Sequence, residues 1–156
     1  MTGSHCTAVA VLSMVSGLCA AAPPAVLAES FNIEVMTVRA TEVGPSDARL
    51  AALRPRLRRV SGYRGFELMD AVKRSLTLRS ETAILLPGGR TLRLLPKKLC
   101  ADFFQMQVRL LDGRRRVLDT NLRMPSGGTT VFGLGPEGKN PGEEAMLFVL
   151  RASDLQ

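Results

Sequence analysis

Between Phe103 and Ala152 the chain alternates four short β-prone runs, FFQMQVRLL, RRVLDTNLRM, TTVFGL and AMLFVLRA, with the breakers DG, PSGG and GPEGKNPGEE. Gly, Pro, Asn and Asp between them supply the backbone conformations that reverse a strand. The stretch therefore predicts a four-stranded antiparallel unit, around which the rest of the domain has to be arranged.

Side-chain alternation constrains its register. Phe104, Met106, Val108 and Leu110 share one face of the first run, and Leu118, Thr120 and Leu122 share one face of the second. A strict two-residue turn at Asp112-Gly113 would set Met106 opposite Asp119 and Phe104 opposite Asn121, burying polar groups. A three-residue loop with a bulge, or a five-residue loop through Arg116, instead sets the apolar face against Leu118, Thr120 and Leu122. Arg114, Arg115 and Arg116 then fall at an exposed hairpin tip. Pro125-Ser126-Gly127-Gly128 makes the next turn, and the last run is apolar enough to be a central strand.

Residues 1–28 contain no Asp, Glu, Lys or Arg, and Ala8 to Ala22 is almost wholly small or apolar. Pro23-Pro24 and then Val26-Leu27-Ala28 precede Glu29, the pattern of a secretory signal peptide cleaved after Ala28, although no Lys or Arg marks its amino end. An uncleaved anchor or a misassigned start are the competing readings. A membrane span requires about 20 uninterrupted apolar residues, which the prolines preclude. Ser16-Gly17-Leu18 before Cys19 does not resemble a lipobox. The expectation is a signal peptide at 1–28, a single β-rich domain at 29–156, a periplasmic or secreted location and no membrane span after cleavage.

Cleavage would remove His5, the sole histidine, together with Cys6 and Cys19. Cys100 would then have no intramolecular partner, which predicts a buried thiol beside Leu99, with a bridge between two chains left open in an oxidising compartment. Without histidine, neither a Ser-His-Asp nor a Cys-His arrangement can be assembled, nor a His/Cys zinc site. The carboxylates are scattered, and Glu143-Glu144 diverge if extended. The expectation is a non-enzyme without a cofactor, a carboxylate-only hydrolase remaining open.

Before the terminal unit, FNIEVMTVRA (Phe31 to Ala40) alternates as a strand. Gly44-Pro45-Ser46-Asp47 reads as a turn into a helix capped by Ser46 or Asp47. Leu50, Leu53, Leu57 and Val60 share one helical face, with a break or kink expected near Arg54 because Pro55 removes a hydrogen bond. Tyr63 to Ala71 alternates again, with Phe66 and Leu68 facing inward. Lys73 to Glu81 is ambiguous. Ala83 to Leu86, the turn Pro87-Gly88-Gly89 and Thr91 to Leu95 form a hairpin ended by Pro96. The fold class is mainly β (α+β): an antiparallel β-sandwich or partly open barrel of about eight strands, with one helix covering an open end.

The charged side chains, 21 basic against 14 acidic for a net charge of +7, all lie beyond residue 28. Arg49, Arg54, Arg56, Arg58, Arg59 and Arg64 form the strongest local bias. They could grip phosphate or carboxylate bidentately, or simply solvate the outer face of a helix packed by its leucines. GLGPEGKN (Gly133 to Asn140) has the spacing of a phosphate-binding loop but ends in Asn140. Pro141 and Gly142 follow, so no helix amino terminus is presented and the segment reads as a hairpin loop. With no Trp and one Tyr, a platform for stacking bases is hard to build, and no specific nucleic acid is expected.

The succession of an apolar leader, a strand, LAALRPRLRRV and VRLLDGRRRVLDTNLRMPSGGTTVFGLGP resembles small exported bacterial envelope proteins. GGTTVFGLG is loosely similar to the glycine-punctuated hairpins of secretin outer-membrane channels. These likenesses imply an envelope or secretion setting and no residue roles. Two functions are therefore expected as alternatives. One is an accessory or assembly component that contacts an envelope protein partner through strand edges. The other is a binding module for an anionic lipid or polysaccharide, using Arg54, Arg56, Arg58, Arg59 and Arg64, with Arg114, Arg115 and Arg116 as a further candidate surface.

Overall fold

The first strand, β1 (Ser30–Thr41), buries side chains on both of its faces, which makes it a central strand. The computed structural model describes residues 29–135 and 144–153. Residues 1–28, the expected leader, and most of the loop GPEGKNPGEE lie outside them. After β1 come a 3₁₀ turn (Ala48–Leu50), the helix α1 (Arg54–Ser61) and seven further strands. These are β2 (Gly65–Thr77), β3 (Thr82–Leu86), β4 (Arg90–Leu99), β5 (Phe103–Asp112), β6 (Arg115–Pro125), β7 (Thr129–Leu134) and β8 (Ala145–Ala152). They form two antiparallel four-stranded sheets, ordered β2-β1-β8-β7 and β3-β4-β5-β6. The expected α+β sandwich is observed, and neither sheet closes into a barrel.

The terminal four strands do not form one unit. β5 and β6 stay in the second sheet, whereas β7 and β8 join β1 in the first. The PSGG segment is the crossover: Ser126 N–H donates to the Asp102 carbonyl, and Ala152 N–H donates to the Gly128 carbonyl. A short glycine-containing connection is compatible with either arrangement; the two-sided burial of β1 and β8 decides between them. β8, as its composition predicts, is central.

Between the sheets lies the main core. Phe31, Ile33 and Val35 of β1 and Phe148 and Leu150 of β8 meet Ile84, Leu92, Leu94, Phe104, Met106 and Val108 from the second sheet. The Phe31 and Phe104 rings are 4.8 Å apart between centroids, a favourable tilted contact. The β5–β6 register sets Met106 opposite Leu122, Val108 opposite Thr120 and Leu110 opposite Leu118, so the expected apolar face is correct. The loop differs from both expected lengths. Asp112 pairs with Arg115 across a two-residue turn, Gly113-Arg114, and the odd residue is absorbed as a bulge at Val117. Gly113 has φ 59°, the left-handed conformation such a turn requires.

A second core lies on the opposite face of the first sheet. Met36, Val38, Ala40, Leu147 and Val149 point away from the sandwich and are covered by Leu50 and Leu57. The helical segment thus roofs the outer face of this sheet instead of closing an open end. Phe66 and Leu68 belong to this outer core, not to the inner one expected, while Val72 and Leu76 further along β2 face inward. The switch is a bulge: Thr37 pairs with Asp70 and Val38 with Leu68, leaving Met69 as an extra residue that turns the strand over.

Proline explains two further differences. Pro55 occupies the first turn of α1, where its missing N–H costs nothing, so it starts the helix instead of breaking it. The preceding residues form the separate 3₁₀ turn capped by Asp47, and Val60 is left 51 % exposed at the helix end. Pro96 does not end β4. The strand continues to Leu99 through a bulge between Pro96 and Lys98, a position where a ladder tolerates proline. The ambiguous stretch after Lys73 continues β2 to Thr77. Cys100 is half-buried, not fully buried, because it sits at the strand end, where its N–H donates to the Phe103 carbonyl.

Candidate anion-binding basin

Two connections flank α1, and their backbones are stitched together. Arg64 N–H donates to the Thr41 carbonyl at 3.2 Å, Ser46 Oγ donates to the Arg64 carbonyl at 3.2 Å, and Asp47 N–H donates to the Phe66 carbonyl at 2.8 Å. Gly65 permits this approach, since a Cβ there would lie 2.5 Å from Thr41 Oγ1. At the other end of α1, Gly62 takes the left-handed conformation (φ 76°) and donates its N–H to the Arg58 carbonyl, closing the helix. The chain then returns directly, which carries Arg64 back beside the helix.

Arg54 and Arg58 stand one turn apart and share a side of α1. With Arg64, Glu42 and Ser46 they line an open basin of about 520 Å³. A second basin of about 340 Å³ shares Arg58 and Arg64 and adds Gly62 and Tyr63. Three arginines thus line one basin where the connection after β1 meets the helix. Among the described residues, no carboxylate forms an ion pair with any of the three.

Other arginines are neutralised in place. Arg49 grips Asp47 through Nε at 3.1 Å and Nη2 at 2.6 Å. That side-chain grip, with the Arg49 N–H added, holds the Asp47 carboxyl at about 2, below its usual 3.8. Arg39 bonds Glu67 and reaches Glu144 at 3.5 Å. Arg93 pairs with Glu81 at 3.2 Å, and Arg116 with Asp119 at 3.0 Å. Hydrogen bonding from Gln107, followed by the nearby Arg116, Arg109 and Lys97, lowers the Asp119 carboxyl below its usual range.

Arg54 differs most from this pattern. Its Nε is buried and has no hydrogen-bond partner among the described residues. A guanidinium N–H withdrawn from water and left unmatched is costly.

The candidate arginines therefore divide. Arg54, Arg58 and Arg64 come together. Arg56 leaves the group, donating from Nη1 to the Thr129 carbonyl at 2.8 Å. Arg59 is exposed and lines neither basin. Arg114, Arg115 and Arg116 are exposed on the β5–β6 hairpin of the other sheet and take no part. Glu42, Ser46 and Tyr63 were not anticipated as site residues. GPSD signalled only a turn and a helix cap, and nothing in the local pattern links it to an arginine beyond the helix.

Among the described residues, no group of three or more His, Cys, Asp or Glu could hold a metal ion, and no helix is long and apolar enough to cross a membrane. No family model, curated protein or solved structure matches this chain.

Proposed function

We propose that this chain is a binding module for an anionic group, phosphate or carboxylate, carried by an envelope component. Arg54, Arg58 and Arg64 are its gripping residues. The observation that carries this reading is a basin lined by three arginines that have no ion-pair partner among the described residues. Guanidinium groups suit the task because their planar donors match two oxygens at once and stay charged at any physiological pH. In this reading residues 1–28 export the domain, which works in the periplasm or outside the cell without catalysing a reaction.

Two or three charge-assisted contacts at an open site correspond to a dissociation constant on the order of 1 mM for inorganic phosphate. Calorimetric titration of the full chain should give saturable binding that weakens with added salt. The Arg54→Gln/Arg58→Gln variant should bind at least about tenfold more weakly. The Arg114→Gln/Arg115→Gln/Arg116→Gln variant should bind as the wild type does. Equal losses in the two variants would mean diffuse attraction to a basic protein and would sink the reading.

A second reading, assembly with an envelope protein by strand addition, draws support from β7. This outermost strand, TTVFGL, carries no charge, proline or bulge. The other outer strands carry such protections: β2 has its Met69 bulge and charges, β3 is only five residues long, and β6 has charges, a bulge and Pro125. A stoichiometric protein that co-purifies and survives a high-salt wash would favour this second reading, since apolar and backbone contacts are not screened away.

A further inference from the structure

Two hydrogen bonds show which backbone groups of β7, the outer strand of the first sheet, face away from it. Ala152 N–H donates to the Gly128 carbonyl, so Gly128 turns its carbonyl toward β8. In an antiparallel pair the two directions alternate residue by residue. Thr130, Phe132 and Leu134 therefore face β8, whereas Thr129, Val131 and Gly133 point their N–H and C=O outward. The Thr129 carbonyl fits this phase, because it accepts from Arg56 Nη1 at 2.8 Å, outside the sheet. Arg56 thus covers one end of the edge. The outward groups of Val131 and Gly133 make no hydrogen bond with the described residues.

β7 is its own complement. A two-fold axis through Phe132 sets Val131 of each copy opposite Gly133 of the other, so that each outward N–H meets an outward C=O. Phe132 then faces Phe132 of the second copy, an aromatic cross-strand pair on the side where it already packs, half-buried, against the main core. Gly133 has no side chain to crowd Val131. Gly135 falls opposite Thr129 in the same register and leaves room for Arg56.

Charge selects this edge over most of the others. The chain carries +7, so two copies repel unless the joining strands are themselves neutral. β2 and β6 carry Lys or Arg, whereas TTVFGL has no charge. β3, TAILL, is also neutral, but it is one residue shorter and has no glycine to set opposite its side chains.

The geometry points to a homodimer in which β7 pairs antiparallel with β7 of a second copy, and the two four-stranded sheets continue as one of eight strands. This surface is independent of the anion basin. A second copy seated on it competes with any other protein for the same edge.

The test follows the full chain, without phosphate, by sedimentation velocity and amide hydrogen exchange at concentrations up to about 1 mM. The wild type should pass from monomer to dimer, and added salt should not weaken the dimer. The Val131 and Gly133 amides should exchange more slowly as concentration rises, and the Thr130 and Phe132 amides, which already face β8, should change less. Gly133→Lys gives β7 the edge charge that it lacks, and Val131→Pro removes an outward N–H without a bond to β8; both should remain monomeric. Their melting temperatures check that they fold, and if either does not, the wild-type exchange pattern decides. Leu85→Lys, at an exposed position of β3, should dimerise as the wild type does. A wild type that stays monomeric throughout would overturn the proposal. So would a dimer that folded Gly133→Lys and Val131→Pro both retain, one that Leu85→Lys abolishes, or one that leaves Val131 and Gly133 exchange unchanged.

Discussion

Arg56 Nη1 donates to the carbonyl oxygen of Thr129 at 2.8 Å, tying α1 to the outermost strand of the first sheet. Its neighbours Arg54 and Arg58 turn instead toward the basin. One arginine-rich helix thus divides its cations between holding itself down and lining the basin.

Arg56→Ala should lower stability by about 1 kcal/mol, the worth of an exposed charge-assisted hydrogen bond, and leave phosphate affinity within about twofold. Urea unfolding and calorimetry on the same sample check both halves. A loss of binding that exceeds the loss of stability would place Arg56 in the site.

The helix roof makes a sharper prediction for two residues that share an apolar pattern. Leu57 is fully buried against the outer face of the first sheet, whereas Val60 is 51 % exposed. Leu57→Ala should cost about 3 kcal/mol, and Val60→Ala should stay within about 0.5 kcal/mol. Equal costs would mean that the helix continues its apolar face to Val60.

Acid should act on the Asp47 cap. The folded carboxyl is held at about 2 by Arg49, below its ordinary 3.8. The folded state therefore binds this proton more weakly than the unfolded chain does. The resulting stability is present above pH 3.8 and is lost as pH falls toward 2. Asp47→Asn should flatten the stability profile across that window, and added salt should shrink the difference, because the Arg49 side chain faces solvent. Urea midpoints measured through the window for both proteins test the sign.

How much of this was legible in the sequence depends on the range of the interaction. The β3–β4 hairpin, the central position of β8 and the inward face of β5 follow from alternation and turn residues within a few positions of one another. The bulge at Met69 did not, because Phe66, Leu68 and Val72 lie even numbers of residues apart, as on one face of a regular strand, and only pairing with β1 shows that the strand turns over between them. The division of the last four strands between two sheets was hidden for a similar reason, since PSGG serves a hairpin or a crossover equally well. At the basin, Arg54 and Arg58 share a side of one helix only because Pro55 starts it, where a break near Arg54 was expected. Bringing Arg64 to them took the left-handed turn at Gly62, and bringing Glu42 took the backbone stitch between Thr41 and Arg64. Pro55 was legible in chemistry but not in position: the same missing N–H that breaks a helix interior is harmless in its first turn.

The most direct test of the central claim follows the side-chain Nε–H signals of the arginines by NMR while inorganic phosphate is added to the full chain. The account predicts that the Arg54, Arg58 and Arg64 signals shift and saturate together, while Arg56, Arg59 and Arg114 to Arg116 stay nearly still. Small, unsaturable shifts spread evenly over all the arginines would contradict it.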